Sequence, residues 1–390
     1  MRILGVSGKI ATRCPGFGFT VVYREDHRGS GNSVGVESIK KDGLWEEMGY
    51  TVPQYSRSEV DQAGNALVVY PNNEYPLDKA LAVISNFRSS HSRPLNTMMV
   101  SLRRRSKEVN SNCLVAQRVK RLSSIVAKLR RFPGLRLSQM QDVGGCRVVL
   151  ASVAEIYEVV EKFKKSSIRH ELARTDDYIK GPKPSGYRGV HLIYKYVSDR
   201  KTTYNGTKIE IQIRSQLQHA WATAVETVGT FIQQALKSSQ GEGDWLRFFS
   251  LMSSVLAIRE SSPTVPDTPA APEMLKEELR YYVQLLDVEQ HLHTYGEALR
   301  SFEDQSIAGA QYYLLELDPA LKTVQVTGYK QHQLAAAEQQ YIKLEKEINE
   351  HPGRDAVLVS VESIEVLHRA YPNYFLDTNY FIEAVKQAIK

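Results

Sequence analysis

From Lys208 to Arg214 the chain reads KIEIQIR, apolar and polar residues alternating without a break. Successive side chains of a strand point to opposite faces. Ile209, Ile211 and Ile213 therefore share one face, and Glu210, Gln212 and Arg214 the other. Upstream, YRGVHLIYKY alternates in the same way: Val190, Leu192 and Tyr194 match the isoleucine face, and His191 falls with Glu210. The two runs predict a β-hairpin, with Asn205–Gly206 in its turn. VGGCRVVL is a further strand, followed by Ser152 and Glu155 spaced as a capping box for a helix over Ile156 to Phe163. Other segments repeat at threes and fours. Val119, Leu122, Ile125, Val126 and Leu129 predict one basic amphipathic helix from Arg118 to Arg131. Shorter helical periods lie at 51–66 and 76–90, and a longer one from about Gln216 to Leu236.

These elements make an α+β domain over residues 51–237, a mixed sheet with flanking helices. Residues 1–50 are glycine-rich and weakly patterned, and read as an irregular extension. GVSGK is no phosphate loop, because Gly5 and Gly8 stand too close. Residues 238–306 are a helical connector interrupted by a proline-rich loop at 260–273. Residues 307–390 change character: AQYYLLEL and KTVQVTGY are strands, HQLAAAEQQYIKLEKEI is a helix, and DAVLVSVESIEVL is a strand running into a turn or short helix. Thr378 is a candidate cap for a last helix.

Composition alters this picture little. The 390 residues carry a formal charge of +6, which suits phosphate-rich partners without requiring them. Cys14, Cys113 and Cys146 are too scattered for a zinc ribbon or a disulfide framework, so a reducing, cytoplasmic setting is expected. No signal peptide and no transmembrane span are expected.

The chemistry gathers on the polar face of the hairpin. An acid, an amide, cations and a histidine there are either a solvated face or the floor of a site for a charged ligand. Asp142, just before VGGCRVV, either ends a turn or supplies a hard oxygen ligand to Mg²⁺ beside phosphate oxygens. Spacing does not choose between these readings.

RVKRLSSIVAKL, DVGGCRVV, DDYIKGPKPSGYRGVH and IEIQIRSQLQHAWA occur in the order of the RelA/SpoT-type nucleotide pyrophosphokinase domain, and over 118–222 the chain resembles that family. The resemblance implies an enzyme that transfers the β,γ-pyrophosphate of ATP to a ribose 3′-hydroxyl with Mg²⁺. It implies Asp142 and Glu210 as catalytic and metal-binding carboxylates. Arg118, Lys120, Arg147 and Lys183 would hold ATP phosphates, and Tyr187, His191, Gln212 and His219 the acceptor, with Tyr187 stacking on its base. Gly189 stands where many members have serine.

A finer resemblance, to fused toxin–antitoxin proteins of the CapRel type, rests on YSRSEVDQAGNAL, on HAWATAVETVG and on the Y-x-x-Y pair Tyr371 and Tyr374. It implies transfer to the 3′ CCA end of tRNA, autoinhibition by Tyr371 and Tyr374 in a pseudo-zinc-finger-like C-terminal module, and release by a phage major capsid protein. Two other readings stand beside it: a (p)ppGpp synthetase using GDP or GTP with a regulatory C-terminal domain, and a catalytically dead RNA-binding module.

Overall fold

The computed structural model describes residues 9–13, 20–25, 50–70, 74–235, 242–296, 309–318, 323–350, 354–361, 363–372 and 378–390. Its centre is one mixed sheet. The strands are β1 (Lys9–Arg13), β2 (Thr20–Glu25), β3 (Leu114–Val119), β4 (Gly144–Leu150), β5 (Glu171–Asp177), β6 (Val190–Lys195), β7 (Lys208–Ser215), β8 (Tyr312–Asp318), β9 (Thr323–Tyr329) and β10 (Asp355–Ser360). Their spatial order is β1-β2-β9-β8-β10-β3-β4-β7-β6-β5. β4–β7 and β2–β9 are parallel, and the other pairs antiparallel.

The predicted hairpin is present. Leu192 faces Ile211, Tyr194 faces Ile209 and His191 faces Gln212 across β6–β7. The isoleucine face is fully buried under α3 (Ser92–Val109) and α5 (Val153–Lys164), through Leu95, Met98, Leu102, Ile156, Val160 and Phe163. Each such aliphatic side chain stabilises the fold by about 1.5–3 kcal/mol on burial. This one-sided core fixes the strand register, because a slip of one residue would turn Glu210 into it. Ser152 caps α5 by accepting the Glu155 N–H at 3.3 Å. The reciprocal half of the expected box is displaced by one residue, for the Glu155 carboxylate accepts from the Ala151 N–H instead.

The expected helix from Arg118 to Arg131 is a strand followed by a helix. Residues 114–119 pair with β4 on one side and β10 on the other, and α4 starts only at Leu122 (Leu122–Arg131). Sheet pairing on both edges overrides the helical spacing of Val119, so Arg118 is a strand residue and Lys120 follows the strand end. Helices α1 (Arg57–Val69) and α2 (Leu77–Ser89) form as expected, α1 behind a complete Ser56–Glu59 capping box, and they pack with α4 around Ile84, Ile125 and Leu137.

No distinct zinc-finger-like module is seen among the described C-terminal residues. β8, β9 and β10 continue the central sheet, with Val359 opposite Arg118 and Ser360 opposite Gln117. Helix α10 (Leu334–Glu350) packs on β8 and β10 through Tyr341 and Leu344. Helix α11 (Ile364–Ala370) covers β3. The helices after the sheet are α6 (Gln216–Ala235), α7 (Glu242–Arg259), α8 (Pro272–Leu285) and α9 (Val288–Gly296), and the last helix, α12 (Asn379–Ile389), packs among them through Phe381 against Phe248 and Phe249. Thr378 precedes α12 but makes no side-chain cap; its hydroxyl donates to the Leu292 carbonyl. The first 50 residues, read as an irregular extension, contain β1 and β2, and β2 pairs with β9. Among the described residues no helix is long and apolar enough to cross a membrane.

Candidate active site

The polar face of β7 is the floor of a cleft, and its side chains close into a ring. Arg214 Nη2 donates to the Tyr187 hydroxyl at 2.7 Å and to Gln212 Oε1 at 3.3 Å. The Tyr187 hydroxyl lies 2.5 Å from His191 Nε2. His191 Nδ1 lies 2.9 Å from Glu210 Oε1, and Gln212 Nε2 donates to Glu210 Oε2 at 2.6 Å. The hydrogens resolve in one direction with His191 neutral and protonated on Nδ1. Arg214 then donates to Tyr187, Tyr187 to His191 and His191 to Glu210, while the second arm runs through Gln212. Both arms end on one carboxylate. Burial works to raise Glu210, but the bonds from His191 and Gln212 outweigh it and hold the carboxyl down at about 2. Burial also keeps the Tyr187 hydroxyl above its ordinary value and so protonated.

Backbone geometry makes this ring possible. Gly189 has φ +141°, and a Cβ there would stand 3.2 Å from Arg214 Cγ. The positive φ favours glycine, and a side chain there would press on the arginine stem.

Asp142 shares the cleft with Glu210. It leaves the short 3-10 turn Leu137–Gln139 and precedes β4. Lys120 Nζ lies 2.8 Å from Oδ2 and Lys128 Nζ 2.9 Å from Oδ1. Burial opposes ionisation of Asp142, but the two ammonium groups prevail and hold its carboxyl below the ordinary value. Two ionised carboxylates beside cations are the hard oxygen donors that Mg²⁺ takes together with phosphate oxygens, and the residues fit that ion.

The remaining wall is cationic. Arg118, Lys120 and Arg147 line the cleft, joined by Tyr371 from the end of α11. Arg147 Nη1 donates to the Ala370 carbonyl at 3.3 Å, and its guanidinium stands 5.8 Å from the centre of the Tyr371 ring. Burial, then the charges of Arg214 and Arg118, push Arg147 down to about 10. Arg147 Nε and Arg214 Nε and Nη1 are buried without hydrogen-bond partners among the described residues. Buried donors of this kind are what an anionic ligand satisfies. Glu226, on α6, faces the same arginines; burial raises its carboxyl, and Arg118 and Arg147 more than reverse the effect.

Most of the expected residues therefore meet. Asp142, Glu210, Gln212, Arg118, Lys120, Arg147 and Tyr371 line one cleft, and Tyr187 and His191 join it through the ring. Lys183 stands apart from the phosphate wall, 4.2 Å from the ring centre of Tyr178 and 5.0 Å from that of Tyr187. His219 faces α11, its Nε2 lying 3.2 Å from the Arg369 carbonyl, and burial, then Arg147 and Arg214, drive it down to about 3. Tyr374 lies outside the described residues. Three members of the site had no role assigned from sequence: Lys128, Arg214 and Glu226. Arg214 shares the period-two face of Glu210, and that spacing is the signal for it.

A family model, the region found in RelA / SpoT proteins, matches residues 117–229, the stretch that holds the cleft residues above other than Tyr371. The chain is 35% identical over 115 residues to GTP pyrophosphokinase YwaC of Bacillus subtilis, covering 27% of this chain and 52% of that protein. It is 33% identical over 111 residues to GTP pyrophosphokinase YjbM of the same organism, covering 28% and 52%. The chain thus spans about half the length of the curated relatives it matches. Among solved structures, the small alarmone synthetase 1 of Bacillus subtilis bound to its product pppGpp aligns over 46% of this chain and 95% of that one, with 26% identity and a TM-score of 0.36. A GTP pyrophosphokinase family protein from Streptococcus pneumoniae aligns over 54% and 93%, with 21% identity and a TM-score of 0.35.

These relatives correct the finer expectation. The RelA/SpoT region matches proteins named for guanosine-nucleotide chemistry, and pyrophosphate transfer to the 3′ CCA end of tRNA, held off as a fused toxin–antitoxin and released by a phage capsid protein, is overturned by that finding. YSRSEVDQAGNAL, read as a toxin-like helix, is the capped α1, whose apolar side packs on α2 and α4.

Proposed function

We propose that the protein is a pyrophosphokinase that moves the β,γ-pyrophosphate of ATP to the 3′-hydroxyl of GDP or GTP, making guanosine tetra- or pentaphosphate. The observation that carries this reading is the carboxylate of Glu210, held ionised by two converging hydrogen-bond arms beside a wall of Arg118, Lys120 and Arg147. The names of the relatives supply the acceptor class.

In this reading the 3′-oxygen attacks the β-phosphorus of ATP, the bond from that phosphorus to the α–β bridging oxygen breaks, and AMP leaves with the electron pair. Each oxygen of Glu210 accepts one internal bond and keeps a lone pair for the incoming hydroxyl. A carboxyl held near 2 is a weak base at neutral pH, so its role is to orient the hydroxyl and take its proton late, as a loose phosphoryl-transfer transition state permits. Tyr187 offers its ring to the acceptor base. Arg118, Lys120 and Arg147 oppose the charge of the transferring phosphates. Asp142 and Glu210 would hold Mg²⁺, which when bound neutralises phosphate charge. Tyr371 is among the residues lining the phosphate side of the cleft, which supports a regulatory role for the C-terminal segment.

The test is transfer of label from [γ-³²P]ATP to GDP and to GTP by the full chain, with products resolved by thin-layer chromatography. Labelled guanosine tetra- and pentaphosphate are expected. Intact protein that binds ATP yet labels neither acceptor refutes the proposal.

A further inference from the structure

A second basic groove lies on the same sheet face, beyond the starting end of β7. It has a volume of about 790 Å³ between α1, the turn Leu137–Gln139 and the turn end of the β6–β7 hairpin. Four cations line it: Arg57, Arg136, Lys195 and Lys208. Asp61 is its one lining carboxylate, and both Asp61 oxygens are taken up by Ser138, through the N–H at 2.8 Å and the hydroxyl at 2.9 Å. Lys195 pairs with Glu171 on the exposed side at 2.7 Å, and Lys208 donates to the Gln139 carbonyl at 3.1 Å. Arg57 and Arg136 are exposed.

Gly206, at φ +82°, is the part of the hairpin turn that lines the groove, with Arg57 beside it. Lys195 and Lys208 are directly paired across the two strands, so both stems enter the groove side by side, Lys195 with Glu171 and Lys208 with the Gln139 carbonyl as partners. Hydroxyl and amide side chains fill the rest of the lining, including Gln62 on α1. No aromatic side chain is among the lining residues, so no platform for stacking bases is present.

We infer that this groove is a binding site for a compact polyphosphorylated anion, separate from the cleft around Glu210. Its volume lies in the range of small-molecule pockets, its charge excess calls for several phosphates, and the lack of an aromatic platform disfavours an extended single strand. Both of its edges lead into the cleft. The turn Leu137–Gln139 runs on to Asp142, and Lys208 precedes Glu210 by two positions on one face, so an anion held here braces the two carboxylate-bearing segments.

The test is isothermal titration of inorganic tripolyphosphate into the full chain carrying Arg118→Ala, Lys120→Ala and Arg147→Ala, which removes the three cations that line the cleft. One equivalent is expected to bind, with affinity falling as salt rises. Adding Arg57→Gln and Arg136→Gln should weaken it at least tenfold, and Gln62→Glu alone, an exposed change on a helix surface, should weaken it at least threefold with an unchanged melting temperature. Tripolyphosphate binding that ignores all three substitutions overturns the proposal. So does tighter binding of a single-stranded 12-nucleotide RNA lost with the same substitutions, which would make the groove a polynucleotide track. The readout needs no turnover, so its failure leaves the reaction assigned to the cleft untouched.

Discussion

Glu345 Oε1 accepts the backbone N–H of Leu122 at 3.0 Å, across 223 positions of sequence. Arg121, at the N-cap of α4, provides no side-chain cap of its own, so a carboxylate from α10 does so in its place. The same carboxylate takes both arms of the buried Arg88 guanidinium, whose Nε donates to the Lys120 carbonyl at 2.9 Å. Helix α10 is thereby tied to the segment that carries Lys120 and Lys128 to Asp142.

Removing Glu345 therefore does two kinds of damage. Glu345→Ala leaves Arg88 buried with its charge uncompensated and the first turn of α4 uncapped. A loss of about 3–5 kcal/mol is expected, read as a lower urea midpoint. The apolar pair Arg88→Met with Glu345→Leu should recover most of it. A single variant as stable as the parent would show that the pair contributes nothing.

Asp142→Ala and Glu210→Gln should each abolish pyrophosphate transfer while leaving the circular dichroism spectrum and melting temperature near the parent values. Glu210→Gln keeps the shape of the side chain but replaces one acceptor oxygen with a donor, which faces the hydrogens of His191 or Gln212. Near-parent turnover by either variant would remove the carboxylate mechanism.

Tyr187 separates its two roles by substitution. Tyr187→Phe keeps the ring and deletes the hydroxyl between Arg214 and His191, so kcat should fall about tenfold, the equivalent of one hydrogen bond of ~1.4 kcal/mol, with little change in acceptor KM. Tyr187→Ala also loses the stacking face and should weaken acceptor binding by about 1–3 kcal/mol. If acceptor affinity survives the alanine and ATP affinity collapses, the ring belongs to the other nucleotide.

Tyr371→Ala should tighten ATP binding if the ring occupies donor space. The side chain is also part of a core with Leu315, Val357 and Leu367, so Tyr371→Phe, which keeps the ring, serves as the control. Folded alanine protein with unchanged ATP affinity would leave Tyr371 a packing residue only.

Acid should destabilise the protein through two buried histidines. His91 is buried, its Nδ1 bonded to the Phe87 carbonyl at 2.7 Å, and burial pushes it down to about 4; His219 is pushed down to about 3. Both are neutral in the fold, while in the unfolded chain they protonate near 6.5. The unfolded state then binds more protons, so stability is at its full value above about pH 6.5 and falls as pH drops to about 4 for His91, losing about 3 kcal/mol there. Urea midpoints at pH 7 and pH 5 should differ, and His91→Gln should flatten the slope. An unchanged slope in that variant would mean that the ring is already charged in the fold.

The hairpin was legible because strict alternation leaves one reading: the face of Glu210, Gln212 and His191 follows from period two alone. Ser152 and the apolar run of α5 were legible for a similar reason, since cap and periodicity agree. β3 was not, because Val119 completes a helical spacing with Leu122, Ile125 and Leu129, and only pairing with β4 and β10 shows otherwise. The helix α3 carries a signal that was passed over, Leu95, Met98, Met99 and Leu102 at threes and fours. Pairing of β10 with β3 has no local signature at all, and the expectation of a separate C-terminal module failed there. In the site, Lys128 reaches Asp142 only through the placement of α4, which sequence spacing does not reveal.

The place of β3 between β4 and β10 has a consequence for how the chain is made. During synthesis β3 emerges long before its second partner, which follows roughly 240 residues later, a contact of very high sequence separation and slow closure. At about 5–20 residues per second that interval lasts roughly 12–48 s. Through it, the strand bearing Arg118 presents a bare edge of unpaired amides and carbonyls, the kind of edge that recruits other chains. The nascent protein thus passes through a window in which its phosphate-side strand is both incomplete and adhesive, and only the arrival of β10 ends it.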